Sequence, residues 1–254
     1  MLTTRKWLVA VSLLGLFAMT ASAEWERTIS AWDTRLPAQG KLQVSFWGNY
    51  VTWNDVGADA NQLDGSIYAN YGIVDNWSVC IAPSVTGWNV DGGKSEAGIS
   101  DTALMTTYRF MDEADAGVDV AVMGRVSLPT GNEDLGLGSG NADPGVTVMA
   151  SKDLGTIIVV ANVNGRMIID ANDDEKDYTL SAELEGVCPL SKQLSLNVAF
   201  SAATPQWDSE DDNVDMGIGM RYKPQERIFV NGMVYSCLTD NYDWGFQAGA
   251  GYEF

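Results

Sequence analysis

The sequence contains no histidine among its 254 residues. Histidine is the general base of most serine hydrolases and the commonest side chain in transition-metal sites, so its absence argues against both kinds of centre. We therefore expect no catalytic residue, no bound metal and no cofactor. An enzyme that uses serine and carboxylate side chains alone is the alternative that this absence leaves open.

Cysteines and basic residues are also scarce. Cys80, Cys188 and Cys237 are odd in number and far apart, unlike the dense, paired cysteines of a disulfide-stabilised secreted domain. The sequence leaves open whether one pair is oxidised. The chain has 15 basic against 34 acidic residues, a net charge of −19. Because nucleic-acid phosphates are bound by Lys and Arg, this balance argues against a nucleic-acid partner.

Long hydrophobic runs are absent except near the N-terminus. Arg5 and Lys6 precede an apolar stretch over residues 8–19, and the small residues Ala21-Ser22-Ala23 follow it. This three-part pattern predicts a cleaved signal peptide over residues 1–23, because the stretch of about 12 residues is shorter than the roughly 20 that a membrane-spanning helix needs. Cleavage removes two basic and no acidic residues, so the predicted mature chain carries a net charge of −21.

Apolar and polar residues alternate with a period of two through most of the chain after residue 40, a pattern typical of β-strands with one apolar face. The last segment is the clearest, with Trp244, Phe246, Tyr252 and Phe254 on one face. We predict about twelve strands, near residues 40–53, 62–73, 77–89, 98–110, 116–128, 144–152, 156–169, 177–188, 193–204, 213–223, 227–238 and 242–254. An even number returns the chain to its starting side, as single-chain bacterial barrels require.

The predicted connections alternate between short turns and longer polar loops, as they do between the periplasmic and extracellular ends of bacterial barrels. The predicted extracellular loops are residues 54–61, 90–97, 129–143, 170–176 and 205–212. Two of them are strongly acidic, with Asp173, Asp174 and Glu175 in one and Asp208, Glu210, Asp211 and Asp212 in the other. Such loops could bind Ca²⁺ weakly, but Glu175 stands where a calcium loop needs glycine, which favours a solvated charged loop.

These patterns predict an all-β fold, a transmembrane antiparallel up-and-down β-barrel over residues 40–254 in the outer membrane of a Gram-negative bacterium. A soluble β-sandwich shows similar alternation. Aromatic residues near the predicted strand ends favour the barrel, because such residues form girdles at membrane interfaces. A closed barrel also satisfies every backbone polar group in lipid. Residues 24–39 are expected to form either a plug inside the barrel or a loose periplasmic tail.

A series of motifs in the middle of the chain resembles a known family. These motifs are Gly98-Ile99-Ser100-Asp101, Tyr108-Arg109-Phe110, Leu128-Pro129-Thr130-Gly131, the glycine-rich segment 135–140, and Ser151-Lys152-Asp153-Leu154-Gly155. Their order over residues 98–165 resembles the outer-membrane barrels named for the MetA pathway of phenol degradation. The resemblance implies passage of small, hydrophobic or aromatic compounds and supplies no catalytic residues.

The segment Gly249-Ala250-Gly251-Tyr252-Glu253-Phe254 resembles the terminal strand that the barrel-assembly machinery recognises.

Polar residues on the strand faces opposite the apolar ones are predicted to line the lumen. They are Asp101, Arg109, Asp119, Arg125, Asn162, Asn164, Arg166, Glu183, Glu185, Asp215, Arg221 and Asn231. Glu183 and Glu185 lie two apart on one strand and so face the same way. Lining a water-filled channel is a simpler role for this pair than acid–base catalysis.

One pairing can be predicted from the turn between two of these segments. If residues 98–110 and 116–128 form a hairpin that turns near residue 113, Asp101 lies opposite Arg125. We therefore predict an ion pair between these two side chains near the extracellular end of the lumen.

We predict that the barrel lets small, hydrophobic or aromatic solutes cross the outer membrane, with charged lumen residues setting the selectivity. The alternative is a structural or surface-interaction barrel with a blocked lumen. Twelve strands fall between small barrels filled by side chains and larger barrels with open channels, so the strand number fits both functions.

The expected partners are outer-membrane lipid and lipopolysaccharide, the barrel-assembly machinery through Phe254, and a small solute that the sequence does not identify.

Overall fold

The computed structural model describes residues 27–55, 58–171, 175–207, 211–239 and 241–254. The strands are β1 (Leu42–Asp55), β2 (Ala58–Val74), β3 (Trp77–Ala82), β4 (Ser84–Val90), β5 (Ser95–Ile99), β6 (Thr102–Met111), β7 (Asp119–Leu128), β8 (Asp143–Asp153), β9 (Ile158–Met167), β10 (Tyr178–Pro189), β11 (Leu194–Ala203), β12 (Asn213–Gln225), β13 (Ile228–Cys237) and β14 (Trp244–Glu253). A one-turn helix, α1 (Glu113–Ala116), and a 3₁₀ turn (Glu133–Leu135) lie between strands. Within the described ranges, no helix has the length and apolar character needed to cross a membrane.

The sheet closes on itself because β1 pairs with both its sequence neighbour and the last strand. Trp47 of β1 lies opposite Ser66 of β2 on one side and opposite Gly249 of β14 on the other. Neighbouring strands around the sheet are antiparallel throughout. Closure lets the strand backbones bond one another, which is what a lipid environment requires of a sheet. The predicted all-β transmembrane barrel is confirmed.

Two strands of the barrel are interrupted, so the fourteen elements make twelve strands around the wall. β3 and β4 are two halves of one strand, separated at Pro83, and β2 pairs with both. β5 and β6 are two halves of the next strand, separated at Ser100 and Asp101. Proline has no N–H to donate to a neighbouring strand, which accounts for the first interruption. The predicted count of about twelve strands is confirmed.

The barrel carries large apolar side chains on its outer face and polar side chains within. Apolar side chains with 46% to 57% of their surface exposed include Phe46, Ile81, Val148, Phe200 and Ile218. Polar residues with at most 5% exposed include Asp119, Thr147, Asn162, Glu185 and Asn197. An apolar belt of this extent would be unfavourable in water, whereas it matches the hydrocarbon layer that surrounds an outer-membrane barrel.

The predicted ion pair between Asp101 and Arg125 is wrong, because the β6–β7 connection is longer than a turn centred on residue 113. Asp112 caps α1 by accepting a hydrogen bond from the Ala114 N–H, and Gly117 ends it with a φ of 76°. These residues shift the register by four positions, so that Met105 lies opposite Arg125. Among the described residues, no ion pair joins Asp101 to an arginine.

The loop predicted over residues 54–61 is also wrong. β1 and β2 pair as far as Asn54 opposite Asp59 and Asp55 opposite Ala58, while residues 56 and 57 lie outside the described ranges. The segment was expected to leave the sheet because it is polar. A ladder of backbone hydrogen bonds does not depend on side-chain polarity, so a hairpin can continue into water with polar residues on both faces.

The glycine-rich connection over residues 129–142 is fixed to the interrupted strand by one aspartate. The Asp101 carboxylate accepts hydrogen bonds from the backbone N–H groups of Gly131 at 3.0 Å and Ser139 at 2.8 Å, and from the Ser139 hydroxyl at 3.0 Å. Leu137 is only 3% exposed and packs against Gly98. The break between β5 and β6 therefore places a carboxylate where it can order the longest connection of the barrel.

We expect Asp101→Ala to release this connection while the barrel stays closed. Loss of several hydrogen bonds to one carboxylate should destabilise the ordered loop by about 1.5–3 kcal/mol. Limited proteolysis of the folded protein should then cut within residues 129–142 at a rate at least about tenfold higher. Asp91→Ala, which removes an exposed aspartate from the β4–β5 turn, is the matched control. Equal cleavage of the two variants would show that Asp101 does not hold the loop.

Candidate functional site in the barrel lumen

Residues 27–36, called the plug below, lie inside the barrel ahead of the first strand. Arg27, Thr28 and Ile29 are 2%, 1% and 2% exposed, and Thr34 is fully buried. Their contacts are with the ends of β7, β8, β10, β11 and β12 that lie next to the short turns. We call this end of the barrel the short-turn end. The plug thus fills the half of the lumen that adjoins it.

Glu185 of β10 is the main attachment point of the plug. One carboxylate oxygen accepts the N–H of Ile29 at 2.8 Å, and the other accepts the N–H groups of Ser30 at 2.8 Å and Ala31 at 2.9 Å. Asn197 of β11 donates its side-chain amide to the first oxygen at 2.6 Å. Three successive backbone N–H groups form a concave anion site, and here a fully buried carboxylate occupies it. These four donors offset part of the cost of burying the carboxylate.

A second charged contact folds the plug on itself. The Arg27 guanidinium lies 2.9 Å from the Asp33 carboxylate, which also accepts the backbone N–H groups of Arg27 and Arg35. Burial would raise the pKa of Asp33, but the attraction of Arg27 and these hydrogen bonds outweigh it and lower the pKa to about 2. The pair is therefore ionised throughout the physiological pH range.

Polar side chains of the wall contact the remaining plug residues. The Thr34 hydroxyl lies 2.6 Å from the Ser151 hydroxyl, and Ser151 also accepts a hydrogen bond from Arg27 at 2.8 Å. Asn197 donates to the Arg27 carbonyl at 3.1 Å. Arg221 donates to the Thr28 carbonyl at 3.0 Å, and its guanidinium lies 4.0 Å from the centre of the Phe229 ring. The plug is thus held by hydrogen bonds and charges, and also by the packing of Ile29 and Ala31 against apolar side chains of the wall.

The segment that joins the plug to β1 passes close to Gly72 of β2, a position where only glycine fits. A side chain at Gly72 would collide with the backbone carbonyl oxygens of Pro37 and Ala38. Gly72 also accepts a hydrogen bond from the Gly40 N–H at 2.8 Å and donates one to the Lys41 carbonyl at 3.0 Å. This contact sets the path by which the plug joins β1.

Three neighbouring cavities, which share lining residues, occupy the lumen beside and above the plug. The mouth cavity, about 540 Å³, extends to Pro205 and Trp207 in the long-loop end of the barrel. The aromatic cavity, about 180 Å³, shares Trp32 with it. Its lining combines apolar side chains, including Trp47, Tyr68, Met105, Met123 and Met149, with polar ones such as Asp33 and Arg35. The acidic cavity, about 330 Å³, shares Glu183 with the mouth cavity and contains Asp215 and Tyr235.

The structure distributes the predicted lumen residues among three regions. Glu185, Arg221 and Asp119 lie at the plug. The mouth cavity is lined by Arg125, Asn164, Arg166 and Glu183. Asp215 lines the acidic cavity, and Asn162 donates to Glu183 at 3.4 Å. Asn231 lies opposite Arg221 in the β12–β13 register.

The remaining two predicted residues also line none of the three cavities. Arg109 is 3.1 Å from Asp112 at the short-turn end. Asp101 holds the loop at the other end.

Sequence reasoning missed the contributions of Arg27, Asp33 and Thr34 to the site. These residues precede the alternating strands, so no period-two pattern assigns them a face. An arginine and an aspartate six residues apart in a segment with several apolar residues was the one available signal. It does not reveal the partner carboxylate, because Glu185 lies more than 150 positions away along the chain.

The structure also bears on cysteine and metal chemistry. Cys80, Cys188 and Cys237 lie in β3, β10 and β13, and none is joined to another. Within the described parts of the chain, no cluster of three or more carboxylate or cysteine side chains could hold a metal ion. Residues Asp173, Asp174, Asp208 and Glu210 of the two acidic loops lie outside the described ranges. Weak Ca²⁺ binding by these loops therefore stays a prediction.

The chain is similar to known proteins in both sequence and fold. The sequence model of the family described as "Putative MetA-pathway of phenol degradation" matches residues 28–254. An outer membrane channel from Pseudomonas putida F1 superposes with a TM-score of 0.74 at 13% identity, over 89% of this chain and 100% of that chain. The NanC porin has a TM-score of 0.57 at 9% identity, over 82% and 98%. The CymD monoaromatic hydrocarbon channel has a TM-score of 0.51 at 9% identity, over 85% and 88%. No curated protein sequence matches the chain.

We expect Glu185→Gln to loosen the plug. An amide presents one oxygen and two N–H donors to a site built from N–H donors, so at least one plug N–H loses its acceptor. Hydrogen–deuterium exchange in the peptide that contains residues 29–31 should accelerate at least about tenfold, as a loss of about 1.5 kcal/mol implies. Glu183→Gln is the matched control, because that carboxylate lies two residues away and accepts from Asn162. Unchanged exchange in Glu185→Gln would exclude Glu185 as the anchor.

Proposed function

Because the chain belongs to the MetA-pathway of phenol degradation family, we propose that it is a channel through which small, predominantly apolar or aromatic solutes cross the outer membrane. The observation that carries this proposal is the series of neighbouring cavities between the long-loop end and the plug. A barrel with a purely structural role has no need of space inside its wall.

The composition of the aromatic cavity supports an apolar or aromatic solute. The Trp32 and Tyr68 rings meet edge to face, with their centroids 5.6 Å apart, and methionines 105, 123 and 149 surround them. Methionine is flexible and polarisable, so such a wall adapts to flat rings of different shape. Passage of monoaromatic hydrocarbons is the described role of one protein with the same fold, which agrees with this assignment.

The plug is proposed to be the gate of this channel. In the structure, it separates the cavities from the short-turn end. It is attached by hydrogen bonds, by an ion pair between Arg35 and Asp119, and by the packing of Ile29 and Ala31 against apolar side chains of the wall. None of these contacts is a covalent bond or a strand pairing, so the plug can move without breaking the barrel wall. Solute passage then requires partial release of residues 27–36 from Glu185.

We further propose that residues 1–23 direct export and that the short-turn end faces the periplasm. The outward apolar belt and the fold shared with outer-membrane channels support this location. Phe254 is 59% exposed at the end of the last strand, where the assembly machinery can reach it. An enzymatic role has little support, because the sequence lacks histidine and the similar folds are channels and porins.

The experiment is single-channel recording of the refolded mature protein in planar bilayers. We expect small conductance steps for the wild type and larger or longer openings for Glu185→Gln and for a variant that lacks residues 27–36. Benzyl alcohol, a small neutral aromatic solute, should alter the steps more than glycerol does. Asp91→Asn, which removes one negative charge from an exposed turn, is the control and should conduct as the wild type does.

A folded barrel that never conducts would contradict the channel. Folding of each variant is checked by the shift in its gel migration on heating. If the plug-deleted barrel is folded and closed to ions and to benzyl alcohol, the chain is a structural or surface-interaction barrel with a blocked lumen.

A further inference from the structure

Two arginines stand in one row across three neighbouring strands on the wall of the mouth cavity. Arg125 of β7 lies opposite Gly145 of β8, and Gly145 in turn lies opposite Arg166 of β9. Residues directly opposite one another share a face of the sheet, and all three line the mouth cavity. With strands about 4.8 Å apart, the backbones of the two arginines are roughly 10 Å apart. Glycine adds no side chain between them.

The two guanidinium groups differ in what already binds them. Arg166 lies 2.5 Å from the Asp143 carboxylate, which is fully buried. Arg125 donates to the Ser127 hydroxyl at 3.4 Å, and its side chain is accessible from the lumen. Among the residues that the structure describes, no carboxylate lies within 4.0 Å of Arg125. In a chain of net charge −19, this position thus holds a positive charge that is open to a solute.

Aromatic and acidic groups complete the mouth cavity. Trp32 of the plug and Trp207 of the long-loop end both line it, and Asn164 and Ser181 supply polar groups near Arg166. Glu183 of β10 lines the same cavity. A solute with a negative group would be attracted to Arg125, so its charged end would face β7.

We propose that the mouth cavity is a binding site for aromatic carboxylates, with the Arg125 guanidinium on the carboxylate and the two tryptophans beside the ring. This assignment rests on the proposed channel function, because it makes the mouth cavity the first binding site that a solute meets when it enters from the long-loop end. Guanidinium is suited to the task because its planar fork matches a carboxylate and because it keeps its charge when partly desolvated.

The test compares benzoate with benzamide, which has the same ring and no charge, by isothermal titration of the refolded full-length mature barrel in detergent. We expect benzoate to bind at least about tenfold more tightly than benzamide, since a charge-assisted hydrogen bond separates them. Arg125→Gln should remove this difference and leave benzamide binding unchanged. Raising the salt concentration should weaken the binding of benzoate and leave the binding of benzamide unchanged. Arg166 is left intact, because its loss would leave buried Asp143 without its partner.

Lys94→Gln is the control variant, because it removes one positive charge from an exposed turn at the same end of the barrel. Equal affinity of the wild type for benzoate and benzamide would overturn the proposed site. An equal loss of benzoate affinity in Arg125→Gln and Lys94→Gln would overturn it as well. Binding is measured without a membrane, so the two proposals fail separately. If benzoate binds in an Arg125-dependent way to a barrel that never conducts, the channel proposal is refuted and the binding site stands. If the barrel conducts but does not prefer benzoate to benzamide, the binding site is refuted and the channel proposal stands.

Discussion

The attachment of Glu185 to three successive backbone N–H groups is the interaction on which the rest of the lumen depends. A carboxylate at this depth would be very unfavourable without donors, and the N–H groups of residues 29–31 would be equally unfavourable without an acceptor. Each partner therefore makes the burial of the other possible. Once these residues are fixed, Thr28 reaches Arg221 and Thr34 reaches Ser151, so the whole plug takes one position.

The barrel wall explains why such an arrangement can exist at all. In a soluble domain, apolar side chains would occupy the centre, and a row of charged residues there would be destabilising. Here the apolar side chains face outward, and the interior is left to polar groups and cavities. The twelve strands enclose more space than side chains alone can fill, and the plug takes up part of the remainder. The lumen is thus closed at one end by a segment that belongs to neither wall nor loop.

The two ends of the lumen differ in chemistry. The short-turn end is filled by the plug with its compensated charges, while the mouth cavity carries an arginine without a carboxylate at ion-pair distance among the described residues. Between them lies the cavity around Trp32, Tyr68 and the methionines. The order of these regions suits a solute that has one charged or polar end and an aromatic body. Trp32 belongs to the plug and lines both the mouth and the aromatic cavity, so movement of the plug would change both.

The sequence by itself determined the barrel, the number of its strands and which side chains of a strand share a face. These properties follow from a period of two, which is local and visible in any window of eight residues. The register of β6 and β7 was decided by tertiary structure, because a capped helical turn at Asp112 and Gly117 displaced the pairing by four residues. The position of the plug was also decided by tertiary structure. Its partners come from five strands spread over more than 100 residues of sequence, and only barrel closure brings them to one place.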